Sequence, residues 1–173
     1  WKQRLALGCA VLHEPPILFL DEPTSGVDPI SRRSFWDLIY ELADGGTTVF
    51  VTTHYMEEAE YCHRLALMNR GRLIALDTPA GLREGSLEPI FEVRVDDAAR
   101  AVEALKGAPG VIEAGMFGRA LHVTVESEEN AEGLIGDRLT DKGVDFEGIE
   151  PVVPALDDVF VARVRAAGGA PVD

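Results

Sequence analysis

The stretch over residues 17–28 constrains the fold of this chain more than any other. Four apolar residues run directly into the adjacent carboxylates Asp21 and Glu22, and a turn rich in Pro, Ser and Gly then closes on Asp28. An apolar run of this length between turn residues predicts a strand buried on both faces of a parallel sheet. Acidic side chains at the carboxyl end of such a strand stand where open α/β sheets bind ligands. Because paired carboxylates repel each other unless a metal ion or a proton accompanies them, the stretch predicts metal-assisted chemistry.

Residues 1–84 are predicted to form part of a doubly wound α/β sheet. Asp28 is placed to cap a helix that opens with Pro29 and ends at Gly45-Gly46. A β-branched strand over 47–53 then delivers His54 to its carboxyl end. The other predicted elements of this part are helices over 1–12 and 57–61, a strand over 17–21, a strand pair over 64–69 and 72–75, and a helix that starts at Thr78-Pro79.

The pattern of predicted helices and strands changes in residues 85–173, and we place the domain boundary at the break over 85–89. Apolar spacing predicts strands over 90–95, 111–116, 121–125 and 144–149, helices over 97–106 and 129–142, and a last helix over 156–166. The order β-α-β-β-α-β is the ferredoxin-like arrangement, an antiparallel sheet with two helices on one face. The fold class is therefore α/β, with a parallel sheet followed by a small α+β ferredoxin-like domain.

Four motifs in the first part resemble those of one family, the ATP-binding cassette (ABC) ATPases. Asp21-Glu22 after the apolar run is similar to the Walker B element, and residues 25–28 are similar to the D-loop. Residues 49–54 resemble the strand and histidine of the switch loop, and residues 1–7 resemble the tail of the signature motif with its helix. The resemblance implies a partial P-loop NTPase-type sheet, and residues 1–4 and 58–62 resemble those of the multidrug or ABC-2-type exporter group.

The family's glycine-rich phosphate loop, G-x-x-x-x-G-K-[ST], has no counterpart in these 173 residues. The chain is therefore expected to be the C-terminal half of an ABC ATPase that starts inside the signature, with Trp1 at a position where the family most often has Gln. Alone, it is expected to bind ATP poorly and to be inactive.

The resemblance implies catalytic roles for two residues and a metal role for a third. Asp21 would hold Mg²⁺ through water, Glu22 would polarise the water that attacks the γ-phosphate of ATP, and His54 would contact that phosphate. Phosphoryl transfer needs charge neutralisation and positioning of a nucleophile more than covalent help. Glu22 as a turn-capping carboxylate and His54 as an ordinary loop histidine are the alternatives.

Gln3, Ser25 and Asp28 are implied to lie near bound nucleotide, because the signature and the D-loop of one subunit face the site of a second. For Asp28, capping of the next helix is a sufficient explanation by itself. Trp1 is expected to lie near the partner's nucleotide as well.

Charge excludes some partners. The formal net charge is -14, with 8 basic and 12 acidic residues in 1–84 and 8 basic and 18 acidic residues in 85–173. Nucleic-acid affinity comes largely from neutralisation of phosphates, so neither nucleic acid nor anionic lipid is an expected partner. His13, His63 and His122 have no metal-ligand spacing and are interpreted as surface or local polar contacts. The acidic run over 57–60 is interpreted as a solvated helix face.

The resulting hypothesis is an ATP-hydrolysing subunit of an exporter of drug-like or hydrophobic compounds. Its expected partners are a membrane-spanning permease and a second copy of the ATPase domain, and its expected place is the cytoplasm, peripheral on the inner face of the membrane through the permease. Two alternatives stay open. One is a soluble ABC ATPase that acts on the ribosome or another machine, and the other is a regulatory or dimerisation role for the C-terminal domain.

Overall fold

The two strands that the sequence predicts before Asp21 and His54 lie side by side in the computed structural model, which describes residues 2–85 and 88–168. The chain divides into two compact units, Trp1–His63 and Arg64–Asp173. Trp1, Ser86-Leu87 in the predicted boundary and the tail from residue 169 lie outside the described residues.

The first unit contains a two-stranded parallel sheet and three helices. Its elements in chain order are α1 (Lys2–Val11), β1 (Ile17–Asp21), α2 (Pro29–Asp44), β2 (Thr48–Thr52) and α3 (Met56–Ala59). The register aligns Ile17 with Thr48 and Asp21 with Thr52, so both strands end at the same edge. The edge that carries Asp21 is therefore also the edge from which the chain leaves toward His54.

Helix α2 begins and ends as the sequence predicts. Asp28 accepts a hydrogen bond from the Ser31 backbone N–H at 3.0 Å, Pro29 is the first helical residue and Gly45 is the C-cap. The helix buries Phe35, Trp36 and Ile39 against Leu18 of β1 and Leu7 of α1. Burial of one such side chain stabilises the fold by about 1.5–3 kcal/mol.

The prediction that β1 is buried on both faces is wrong for the described residues. Leu18 is buried on the helix side, whereas the Phe19 side chain on the opposite side is 75% exposed. The Phe19 ring stacks on exposed Phe50 of β2 with ring centroids 5.2 Å apart. The described helices cover one face of this sheet, which is the physical reason for the difference.

The second unit begins with a hairpin of β3 (Leu65–Asn69) and β4 (Arg72–Asp77). Arg70 and Gly71 both have positive φ, 49° and 72°, as a two-residue turn of type I′ requires. Helix α4 (Pro79–Glu84) follows, capped by the Thr78 side chain.

An antiparallel four-stranded sheet forms the larger part of the second unit. The chain order is β5 (Ile90–Val95), α5 (Ala98–Leu105), β6 (Val111–Phe117), β7 (Ala120–Val125), α6 (Ala131–Asp141), β8 (Phe146–Val152) and α7 (Leu156–Ala166), and the neighbour order is β6-β7-β5-β8. A continuous core between this sheet and helices α5 and α6 includes Val93, Leu105, Leu121, Ile135 and Leu139, all fully buried.

Strand β8 covers 146–152, so it starts and ends later than the predicted 144–149. Val144 packs in the core before the strand begins, and the strand continues through Pro151. Proline in a sheet is confined to edge strands, and β8 is an edge strand here.

The compact units divide earlier in the chain than the predicted boundary at 85–89. Helix α4 contacts α7 and β4, and α7 contacts β4, so the hairpin and α4 belong structurally to the second unit. The predicted domain boundary at 85–89 stays a prediction from the sequence. Within the two described ranges, no helix combines the length and the apolar character that crossing a bilayer would take.

Candidate active site

The carboxyl ends of β1 and β2 bring Asp21 and Thr52 together. The Thr52 hydroxyl donates a hydrogen bond to Oδ1 of Asp21. The same hydroxyl and the Thr52 carbonyl each accept from the backbone N–H of Glu22, at 3.1 Å. These bonds fix the direction in which the chain leaves β1, and they hold the Asp21 carboxylate at an exposed position.

Glu22 has a left-handed backbone with φ of 41°. This conformation is uncommon for a residue with a Cβ, and such residues concentrate at functional sites when the surroundings hold them in place. Here the two hydrogen bonds to Thr52 supply that restraint. With this backbone conformation, the Glu22 side chain does not continue the alternation of side chains between the two faces of β1.

His54 and Glu22 meet across the strand ends, a contact that the sequence analysis did not predict. Nδ1 of His54 lies 3.0 Å from Oε1 of Glu22, and the two side chains are 56% and 47% exposed. A neutral imidazole donates one hydrogen bond here, and an imidazolium adds an ion pair. The geometry therefore places an acidic and a basic group beside each other at an accessible sheet edge, where open α/β sheets bind ligands.

The donor set around Asp21 suits Mg²⁺ better than a metal that needs a full protein cage. Mg²⁺ is commonly bound through one or two carboxylates, with substrate phosphates and water completing its octahedron. Asp21 is exposed and Glu22 follows it directly. Residues 2–85 and 88–168 contain no group of three or more His, Cys, Asp or Glu side chains arranged to hold a metal ion.

The turn after Glu22 leads to Asp28 through hydrogen bonds within the chain. The Ser25 N–H donates to the Glu22 carbonyl and the Val27 N–H donates to the Thr24 carbonyl, both at 3.1 Å, while Gly26 has φ of 70°. Ser25 is exposed in this turn, and Asp28 is exposed at the start of α2. Gln3 is exposed on α1, a different element from the Asp21–His54 edge. The roles of Gln3, Ser25 and Asp28 toward a nucleotide stay predictions.

The cap gives a testable pH dependence. Hydrogen bonds from Ser31, through its side chain and its backbone N–H, lower the pKa of Asp28 below its usual 3.8. A carboxyl group whose pKa is lower in the folded protein stabilises the fold above pH 3.8, and this contribution is lost as the pH falls through the lowered pKa. We expect Asp28→Asn to reduce the melting temperature at pH 7 and to have a shrinking effect below pH 3.8.

Thermal unfolding of wild type and Asp28→Asn across this pH range measures the effect. Asp37→Asn, on the same helix and away from its first turn, is the control and should give no such convergence. A difference in melting temperature between wild type and Asp28→Asn that grows on acidification would contradict the assignment.

A buried carboxylate beside the site was missed by the sequence interpretation. The run 57–60 is not wholly a solvated helix face, because Glu58 of α3 is only 1% exposed. Its Oε1 accepts from the Thr24 hydroxyl at 2.5 Å, and its Oε2 accepts from the Thr53 hydroxyl at 2.9 Å. The adjacent Ala59 is also buried, so the apolar neighbour was the sequence signal that this face of the short helix turns inward.

In the second unit, His122 is likewise not a surface residue. It is 8% exposed, its Nδ1 lies 2.9 Å from Oδ2 of Asp158, and the Phe117 ring stacks on it with centroids 4.0 Å apart. The prediction of a local polar contact is confirmed. His122 lies beside a cavity of about 120 Å³ whose lining includes Met116 and Arg165. Arg165 pairs there with Glu88 and Glu113.

Comparison with known proteins adds independent information. Residues 3–58 match the family model described as AAA domain, putative AbiEii toxin, Type IV TA system. The chain is 60% identical over 86 residues to the probable multidrug ABC transporter ATP-binding protein YbhF of Escherichia coli, covering 50% of this chain and 15% of YbhF.

Two further relatives match more of the chain. It is 38% identical over 165 residues to the daunorubicin resistance ATP-binding protein DrrA2 of Streptomyces coeruleorubidus, covering 92% of this chain and 51% of DrrA2. It is 38% identical over 139 residues to the Nod factor export ATP-binding protein I of Burkholderia thailandensis, covering 79% and 45%. The chain therefore spans about half the length of these two relatives and a smaller share of YbhF.

Proposed function

The chain belongs to the family of ABC transporter ATP-binding proteins, and we propose that the whole protein is the ATP-hydrolysing subunit of an exporter of drug-like or hydrophobic compounds. One observation carries the catalytic part of this proposal. The Glu22 carboxylate and the His54 imidazole lie 3.0 Å apart at the ends of two parallel strands, next to Asp21.

Each of these residues has a role in the proposal. Asp21 would hold Mg²⁺, which when bound neutralises charge on the phosphates. Glu22 would polarise the attacking water, since an exposed carboxylate at hydrogen-bond distance from an imidazole can accept a proton from water and share it. His54 would bind the γ-phosphate and, through its contact with Glu22, hold that carboxylate toward the water.

The proposed assembly contains two copies of the ATPase domain and a membrane-spanning permease. Gln3, Ser25 and Asp28 would face the nucleotide site of the second copy. The exposure of all three side chains supports this role, because a residue in such a contact has to be accessible in the single chain. The protein would lie in the cytoplasm on the inner face of the membrane, held there by the permease.

We assign residues 1–84 to the C-terminal part of the ATPase domain and residues 85–173 to an accessory domain with the ferredoxin-like arrangement. The chain order β5-α5-β6-β7-α6-β8 and the neighbour order β6-β7-β5-β8 support the second assignment. The names of the relatives, which refer to multidrug transport, daunorubicin resistance and Nod factor export, support export over action on the ribosome.

Steady-state MgATP hydrolysis by the full-length protein tests the proposal. We expect His54→Ala to lower kcat by about 100-fold, because it removes a group that binds charge developing on the transferred phosphate. His13→Ala, which changes an exposed histidine in the turn after α1, is the matched control and should leave turnover unchanged. Wild-type turnover in the His54→Ala protein would overturn the assignment.

A further inference from the structure

The buried Glu58 carboxylate joins three segments that surround the proposed site. Thr24 lies in the turn after Glu22, Thr53 immediately precedes His54, and Arg32 lies in the first turns of α2. We propose that Glu58 is a positioning residue that holds the Glu22 and His54 loops in the relative geometry that ATP hydrolysis requires. This inference rests on the proposed function and names a residue that acts through Glu22 and His54 without touching substrate.

On the Glu22 side, the connection runs through Thr24. The Thr24 side chain is 1% exposed and its hydroxyl donates to Oε1 of Glu58 at 2.5 Å. The Ser25 N–H closes a turn back onto the Glu22 carbonyl, and buried Thr24 lies within that turn. A left-handed Glu22 needs such external restraint, because its backbone conformation is disfavoured in isolation.

On the His54 side, the connection runs through Thr53. Its hydroxyl donates to Oε2 of Glu58 at 2.9 Å and accepts from the Tyr55 N–H at 3.0 Å. The Thr53 hydroxyl therefore connects both neighbours of His54, Thr53 and Tyr55, to the Glu58 carboxylate. The Tyr55 ring also packs against the His54 ring, with centroids 4.1 Å apart, which limits the directions that the imidazole can take.

Arg32 balances the charge of this arrangement. Its Nε lies 3.3 Å from Oε1 of Glu58, and its guanidinium carbon lies 4.6 Å from the centre of the Tyr55 ring. A buried carboxylate is costly unless it is paired and hydrogen-bonded, and here both oxygens have partners from different segments. The two Glu58 oxygens thus fix the distance between the loops that carry Thr24 and Thr53. An apolar side chain at this position would not fix that distance.

The test uses steady-state MgATP hydrolysis by the full-length protein carrying Glu58→Gln. The amide keeps the size of the side chain but offers one acceptor oxygen in place of two, so one threonine loses its acceptor. We expect kcat to fall by about 10- to 100-fold, the scale of small misplacements of catalytic groups, with KM for MgATP changing by less than about threefold. Glu57→Gln, which changes an exposed neighbour on the same helix, should leave both constants unchanged.

A double-mutant cycle with His54→Ala separates positioning from general stabilisation. If Glu58 acts through the Glu22–His54 geometry, Glu58→Gln should lower kcat by less than about threefold once His54 is absent. An equal fractional loss in both backgrounds would mean a structural role only and would overturn the inference. Failure of the proposed function gives a different pattern, since His54→Ala by itself would then leave turnover unchanged.

Thr24→Val is the second variant and covers the case in which Glu58→Gln does not fold. Valine matches the shape of threonine and removes the single donor to Oε1. The expected result is again a lower kcat at similar KM and a smaller loss in the His54→Ala background. Thr24→Ser, which keeps the hydroxyl, should restore most of the turnover. Wild-type kcat in a folded Thr24→Val protein would contradict the role of Glu58.

Discussion

Glu22→Gln in the full-length protein is expected to abolish most of the MgATP hydrolysis while ATP binding persists. The substitution keeps the size of the side chain but removes the carboxylate that we assign to the attacking water. A positioned general base contributes about 100- to 10,000-fold to a rate, so kcat should fall within that range. Binding should persist because the phosphates would be held by other groups, and equilibrium titration with MgATP measures it separately from turnover.

Glu14→Gln is the matched control for this experiment. Glu14 is also an exposed glutamate with positive φ, 51°, but it lies in the turn after α1. Its substitution should leave turnover at the wild-type value, which would attribute the effect at Glu22 to its place beside His54. Unchanged turnover in Glu22→Gln would refute the Walker B assignment and direct attention to the second unit.

Residues 1–173 by themselves are expected to show no MgATP hydrolysis above background and no calorimetric binding in the micromolar range. ATP affinity in P-loop proteins depends on backbone N–H groups and a lysine that cradle the phosphates. The sequence contains no G-x-x-x-x-G-K-[ST] run, and the adjacent Asp21 and Glu22 carry the same sign of charge as the phosphates. Repulsion should therefore dominate when the rest of the protein is absent.

Isothermal titration of the 173 residues and of the full-length protein, in the same buffer with Mg²⁺, measures this difference. Circular dichroism of the titrated sample should confirm helical and strand signals, so that loss of binding is not loss of fold. A saturable isotherm at micromolar MgATP for the 173 residues would contradict the prediction.

Local signals in the sequence were sufficient for the elements that carry the site. Asp28, Pro29 and Gly45 define the two ends of α2, and the apolar run before Asp21 defines β1. These features could be predicted because capping, turn chemistry and strand patterning act over a few residues. The contact between Glu22 and His54 was not predicted, since no local pattern relates residues that far apart and the resemblance implied only separate roles for them.

Features that depend on packing between segments could not be read from the sequence. Glu58 is buried because Thr24, Thr53 and Arg32 converge on it from three segments, and the adjacent Ala59 was the one local signal that this face turns inward. His122 is buried because Asp158 of α7 and Phe117 of β6 cover it. Coverage of β1 on one face likewise depends on which elements pack there. Each case needs a tertiary partner that periodicity does not reveal.

Pro151 in β8 has a consequence for how this protein meets other chains. A strand that joins a sheet edge needs an uninterrupted row of backbone donors and acceptors, and a proline removes one donor from that row. The β8 edge of the four-stranded sheet is thus a poor template for fibril growth or strand exchange. Replacing Pro151 by a residue with a backbone N–H would make this edge a better template for pairing with a strand of another chain, without altering the core.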